Sequence, residues 1–156
     1  MLFRVPFQVL ATAYFSFDLS DQILDILISL GSIKLEDDAT NELETCLSHG
    51  DFCPWNMLQD STEIRLIDWE MATNRPLGYD LFLFIIHTRL VMGADERRIL
   101  VLLKENVDYI LKYFNEFNIS DYRPYLLFFL TTRLKSEKEK GNTQMARCYQ
   151  QILLNI

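Results

Sequence analysis

Ser48-His49-Gly50-Asp51-Phe52-Cys53-Pro54-Trp55-Asn56, followed by Leu66-Ile67-Asp68-Trp69-Glu70, is the part of the chain around which the rest is organised. Two carboxylates, Asp51 and Asp68, and one carboxamide, Asn56, fall within eighteen residues. Each lies on or beside a turn and is bracketed by apolar side chains. A carboxylate in apolar surroundings loses its hydration and must find a donor, a proton or a cation. Gly50 permits a backbone shape that a Cβ would hinder. Pro54 stiffens the loop and pushes Cys53 away from the α region. Trp55 to Leu58 and Glu63 to Ile67 read as short strands, and the polar run Gln59-Asp60-Ser61-Thr62 reads as the turn of a hairpin between them. An antiparallel return brings Asn56, near the start of the hairpin, close to Asp68, just past its end. Two oxygen ligands of one cation need that geometry.

The spacing carries chemistry. Four residues separate Asp51 from Asn56, as four separate the base from the metal-binding Asn in a kinase catalytic loop, and a second metal-binding Asp follows a hairpin in that pattern. Phosphoryl transfer is mostly positioning and charge neutralisation, with a carboxylate holding the attacking hydroxyl. Mg2+ takes hard oxygen ligands and keeps several waters, so one carboxylate and one amide oxygen suffice. Asp51 is therefore the candidate base, and Asn56 and Asp68 are the candidate Mg2+ ligands. Taken alone, Asp68 reads better as a helix cap or turn residue, and the company of Asp51 and Asn56 reverses that preference. His49, Asp51 and Cys53 alternate like ligands on one strand face, but no nearby His or Cys completes a zinc set. A Cys53 nucleophile with His49 as its base is set aside because Pro54 breaks the strand and no oxyanion signature is present.

With Gly78-Tyr79-Asp80-Leu81 added, these residues resemble the aminoglycoside phosphotransferase and choline kinase family, which has a protein-kinase-like fold. The motifs run in order from about Leu47 to Ile86. The resemblance implies that Asp51 is the catalytic base and that Asn56 and Asp68 bind Mg2+. It implies that Asp80 is structural, bonding the catalytic-loop backbone from the start of a buried helix, and that His49 shapes the loop. Glu70 would add an outer-sphere or second-metal contact. The cofactors implied are Mg2+ and ATP, and the substrate is a small molecule bearing a hydroxyl.

Composition sets bounds. A chain of 156 residues with 49% hydrophobic content is one domain by length and can bury a substantial core. A formal charge of −7 argues against a nucleic-acid binder, which would show a basic face. The acidic cluster Glu36, Asp37, Asp38, Glu42 and Glu44 reads as a solvated surface before a substrate-attracting patch. Cys46, Cys53 and Cys148 have no metal-ligand spacing, and reduced thiols in a cytoplasmic protein are the simplest account. Met1 to Phe17 is apolar, but its central run is too short and too interrupted for a signal peptide or a membrane span.

The rest of the chain reads as helical. Ser20 caps a helix that Gly31 closes, and a second helix is expected from about Thr40 to Leu47, with Leu43 and Leu47 on one face. Met71 to Tyr79 reads as a loop. Arg75 there is taken as solvated, with a phosphate or the acidic patch as its other partners. A buried helix follows from about Tyr79 to Val91, in which His87 is read as a satisfied core histidine. Asp95 caps a helix from Glu96 to about Phe117, and Pro124 opens the next. Lys135 to Lys140 is expected to be charged and exposed, and Gly141-Asn142 to break the chain before a last helix.

The expected fold is mainly α with a small β-hairpin (α+β), a single domain over 1–156 equivalent to a kinase-like C-terminal lobe. The residues before His49 hold Gly31 as their only glycine, and Lys34 follows a helix. The glycine-rich phosphate cover and strand lysine of a nucleotide lobe are thus missing. That lobe is expected to have been lost by truncation or a misplaced start, or to come from a partner chain. The leading expectation is an incomplete small-molecule kinase. A non-catalytic pseudokinase or helical interaction module stays open beside it.

Overall fold

A computed structural model describes residues 18–35, 42–60 and 62–156. The expected helix end before Asp18 and the acidic residues Glu36, Asp37 and Asp38 lie outside them. The described residues form a mostly helical α+β protein with two small antiparallel sheets.

Helix α1 (Asp21–Gly31) starts as its sequence dictates, with the Ser20 hydroxyl accepting from the Ile23 N–H at 3.3 Å. Ile23, Leu24, Leu27 and Leu30 form its buried face. A Cβ at Gly31 would sit 2.5 Å from the Phe117 ring, so glycine allows the close approach.

Strand β1 (Thr45–Ser48) takes the place of the later part of the helix expected from about Thr40 to Leu47, whose first two residues lie outside the described ones. It pairs with β4 (Thr73–Pro76), which lies in the segment expected to be a loop, in the register Thr45↔Pro76 to Ser48↔Thr73. The Leu43/Leu47 spacing fits a helix, but burial alternates along β1, with Cys46 and Ser48 inward. Its main-chain partners are distant in sequence, and Leu47 N–H also donates to Ile33 O at 2.9 Å. Strands β2 (Met57–Gln59) and β3 (Ile64–Leu66) form the expected hairpin, Met57 opposite Leu66. Asp60 Oδ1 closes its turn by accepting from Thr62 and Glu63 N–H, both at 2.9 Å.

The buried helix after Gly78 is one continuous rod with a change of pitch. It runs as α2 (Tyr79–Phe82), a π-helical stretch (Leu83–His87) and α3 (Thr88–Val91). Every residue from Tyr79 to Ile86 is buried. The next helix divides in two: α4 (Glu96–Glu105), capped by Asp95, and α5 (Val107–Glu116). Asn106 makes the break by turning its backbone out of the helical region and donating Nδ2–H to Leu102 O at 2.9 Å. The break lets Ile99 and Leu102 in one half, and Ile110, Tyr113 and Phe114 in the other, both reach the core.

Helices α6 (Arg123–Glu139) and α7 (Thr143–Asn155) pack together, joined through Gly141 and the Asn142 cap. The Lys135–Lys140 run is not wholly exposed. Glu137 is buried and accepts from Arg133 at 2.8 Å and Asn142 at 3.1 Å. Phe82, Phe114, Phe129 and Tyr149 join the helices in one aromatic core. Among the described residues no helix is long and apolar enough to cross a membrane, and Cys46, Cys53 and Cys148 are free thiols.

Candidate active site around Asp51 and Asp68

The turn that leaves β1 is built on one buried carboxylate. Asp80, in the first turn of α2, accepts from Ser48 Oγ at 2.8 Å, His49 N–H at 2.7 Å and Gly50 N–H at 3.0 Å. Burial pushes its carboxyl above the usual carboxylate range, while the three donors pull it back. These bonds fix the loop entry from α2, all of whose residues are buried. At φ 81°, Gly50 is in the left-handed region. A Cβ there would strike Met71 O and come within 2.6 Å of the Arg75 guanidinium, so both backbone shape and crowding require glycine.

His49 is fully buried and ties the loop to the hairpin. Its Nδ1 accepts from the Asp51 N–H at 3.3 Å, so its Nε2 carries the proton and donates to Ile67 O at 2.9 Å. Trp69 lies against the imidazole with ring centroids 4.6 Å apart.

Asp51 and Asn56 are in direct contact. Pro54 starts a 3-10 turn (Pro54–Asn56), so Trp55 and Asn56 lie in that turn and not in the strand expected from Trp55; the fixed φ of proline suits the first position of such a turn. The Asn56 amide donates to Asp51 O at 2.9 Å and to Asp51 Oδ2 at 2.7 Å. The Cys53 thiol, kept protonated by burial, reaches Asp51 Oδ1 at 3.6 Å. Both amide hydrogens of Asn56 are thus used within the loop, and Oδ1 is the donor atom left to it.

Asp68 stands beside this pair through the backbone. Ile67 N–H donates to Asn56 O at 2.9 Å, continuing the β2–β3 ladder by one rung. Ile67 is held on both sides, by Asn56 and by His49, and Asp68 is the next residue. Asp68 has φ 62° and ψ 66°, is exposed, and makes no capping bond to the 3-10 turn (Trp69–Met71) that follows. A left-handed conformation in a non-glycine residue costs energy and marks a site worth explaining. The helix-cap explanation of Asp68 has no bond to support it. Glu70 is exposed in the same short turn.

Among the described residues no three His, Cys, Asp or Glu side chains gather as a metal cluster. Asn56 with Asp68 is a different donor set, an amide oxygen and a carboxylate. Both are hard oxygens, and a cation that retains most of its water asks for no more. The residues therefore fit Mg2+ by donor chemistry.

Two contributors were not legible beforehand. Ser48 opens the quoted stretch but was given no role there, yet it donates to Asp80. Arg75, expected to be solvated, is half-buried, with its guanidinium on Met71 O at 3.0 Å and over the Tyr79 ring at 5.0 Å. His87, away from the loop, is satisfied by the Tyr149 hydroxyl at 2.9 Å.

Against known proteins, the chain matches the model of the phosphotransferase enzyme family (APH) over residues 10–109. No curated protein and no solved structure matches it. The matched span covers well over half of the chain and takes in every residue of the loop, the hairpin and the Asp80 anchor, so the chain belongs to the phosphotransferase enzyme family.

Proposed function

We propose that this chain is the kinase-like C-terminal lobe, over 1–156, of an ATP-dependent, cytoplasmic phosphotransferase acting on a hydroxyl of a small molecule. Asp51 would orient the acceptor hydroxyl and take its proton as the phosphoryl group moves. Asn56 and Asp68 would hold Mg2+, which when bound neutralises the phosphate oxygens. His49 and Asp80 would keep the loop in shape, and Glu70 would make an outer contact.

One observation carries the reading. Asn56 donates from its amide nitrogen to the Asp51 carboxylate at 2.7 Å, keeping Oδ1 for another partner one ladder rung from Asp68. A nucleotide-binding lobe with the glycine loop and lysine would come from another segment or a partner chain. Lys34 does not stand in for that lysine, since it pairs with Glu44 at 3.3 Å on the surface.

The test is phosphoryl transfer from Mg-ATP to a panel of amino alcohols, aminoglycosides and sugars, with and without a co-expressed nucleotide-binding lobe. Asp51→Asn is expected to reduce transfer by roughly 10²–10⁴, the range for a positioned base. Turnover that is independent of Asp51 would reject the assignment. A second reading is a non-catalytic interaction module. It would gain if neither arrangement transferred phosphate.

A further inference from the structure

We propose that Arg75 is a positioning residue that sets the turn carrying Asp68 and Glu70 against the loop carrying Asp51. This rests on the phosphotransferase reading for its consequence, but its geometry stands apart from it. Hydrogen bonds around Ile67 hold the near end of the 3-10 turn. Its far end, Met71, is held by Arg75, whose Nη1 donates to Met71 O at 3.0 Å. The same nitrogen lies 3.5 Å from Ser48 Oγ, the hydroxyl that donates to Asp80. Its guanidinium rests over Tyr79, the neighbour of Asp80 on α2.

Arg75 therefore touches three of the elements that frame the site: the end of β1, the turn after Asp68 and the start of α2. It can do so because β4 pairs with β1, with Arg75 opposite Cys46. The glycine at position 50 is part of the same device. Its missing Cβ is the space that Met71 O and the guanidinium occupy. A planar cation with several donors suits a carbonyl, a hydroxyl and an aromatic face at once, whereas a lysine makes a single point contact. Without Arg75 the far end of the turn keeps only the β1–β4 pairing that begins at Thr73, two residues beyond Met71, and the placement of Asp68 beside Asn56 is loosened.

The test uses the whole chain as wild type, Arg75→Lys and Arg75→Met. Mn2+ binding is read by loss of the free-ion EPR signal. The turn is read by fluorine NMR of fluorotryptophan at Trp69, assigned with Trp69→Phe. The expected result for Arg75→Met is Mn2+ affinity weakened about 10–100-fold, the effect of losing an outer-shell support. Its Trp69 line should also shift or broaden while cooperative melting is kept, and Arg75→Lys should recover part of both. Folded Arg75→Met with wild-type Mn2+ affinity and an unmoved Trp69 line overturns the proposal and leaves the metal reading standing. Should Arg75→Met not fold, Arg75→Lys identical to wild type in both readouts overturns it. A wild type that takes up no Mn2+ instead rejects the metal assignment, and the Trp69 line alone then decides whether Arg75 sets the turn.

Discussion

Replacing Asp80 with alanine tests the loop's foundation. Three hydrogen bonds end on this buried carboxylate, from Ser48 Oγ, His49 N–H and Gly50 N–H, all within 3.0 Å. Bonds to a charged acceptor contribute about 1.5–3 kcal/mol each. Their sum overstates the effect, because the carboxylate itself is desolvated by several kcal/mol on burial. The net loss expected for Asp80→Ala is about 3–5 kcal/mol, the usual cost of leaving buried partners unmatched. In a chain of this length that lowers the melting temperature by roughly 6–20 °C. Asp80→Asn keeps the shape and one acceptor oxygen, and is expected to fall between wild type and alanine. Urea denaturation gives the free energies, and amide exchange at His49 and Gly50 shows whether the loop entry has loosened. An alanine variant within about 1 kcal/mol of wild type, with those two amides still protected, would refute the account of Asp80 as the anchor.

Two further outcomes follow from buried groups. Burial first, and then the charges of Arg133 and Lys140, hold His87 at about 3, against 6.5 for a free imidazole; the Tyr149 hydroxyl faces its Nδ1, and Glu137 pairs with Arg133. The unfolded chain therefore takes up a proton that the folded one refuses. This share of stability is whole above about pH 6.5 and lost toward pH 3, with a slope approaching 1.4 kcal/mol per pH unit. His87→Gln should flatten the acid limb of the stability profile, and an unchanged slope would remove His87 from the account. Thiol labelling should also separate the cysteines. Cys46, pushed up to about 12 by burial, and Cys53, also raised by burial, should react only on unfolding, while the half-exposed Cys148 reacts first. Equal rates for all three in the native protein would contradict the packing around β1 and the loop.

The parts of the fold that were readable in advance depend on neighbours in sequence. Ser20 and Asp95 bond the backbone three residues on, and Asp60 closes its own turn, so each announces itself locally. The spacing of Asp51 and Asn56 within one loop was legible for the same reason, though the hydrogen bond between them was not expected. The β1–β4 sheet was not. Thr45-Cys46-Leu47-Ser48 and Thr73-Asn74-Arg75-Pro76 each look unlike strands alone, and their pairing joins residues about thirty apart in the chain. Arg75 could not be assigned to its clamp without that sheet. Glu137 was hidden by its company, since a run of lysines and glutamates looks solvated until the half-buried Arg133, one helical turn earlier, is seen to pair with it.

The π-helical stretch Leu83–His87 sits between Asp80, at the loop, and the face that meets Tyr149. Relative to a plain α-helix, such a bulge houses one surplus residue, and each residue of an α-helix turns the chain by about 100°. Because that residue is taken up in one widened turn, the two ends keep the phase that a plain α-helix one residue shorter would give them. Were the stretch to close to ordinary pitch with all five residues kept, the surplus residue would turn one end by about 100°, and either Asp80 would aim away from the loop entry or His87 would leave the Arg133 cluster. The rod thus works as a calibrated coupling whose apparent irregularity keeps its two ends aligned.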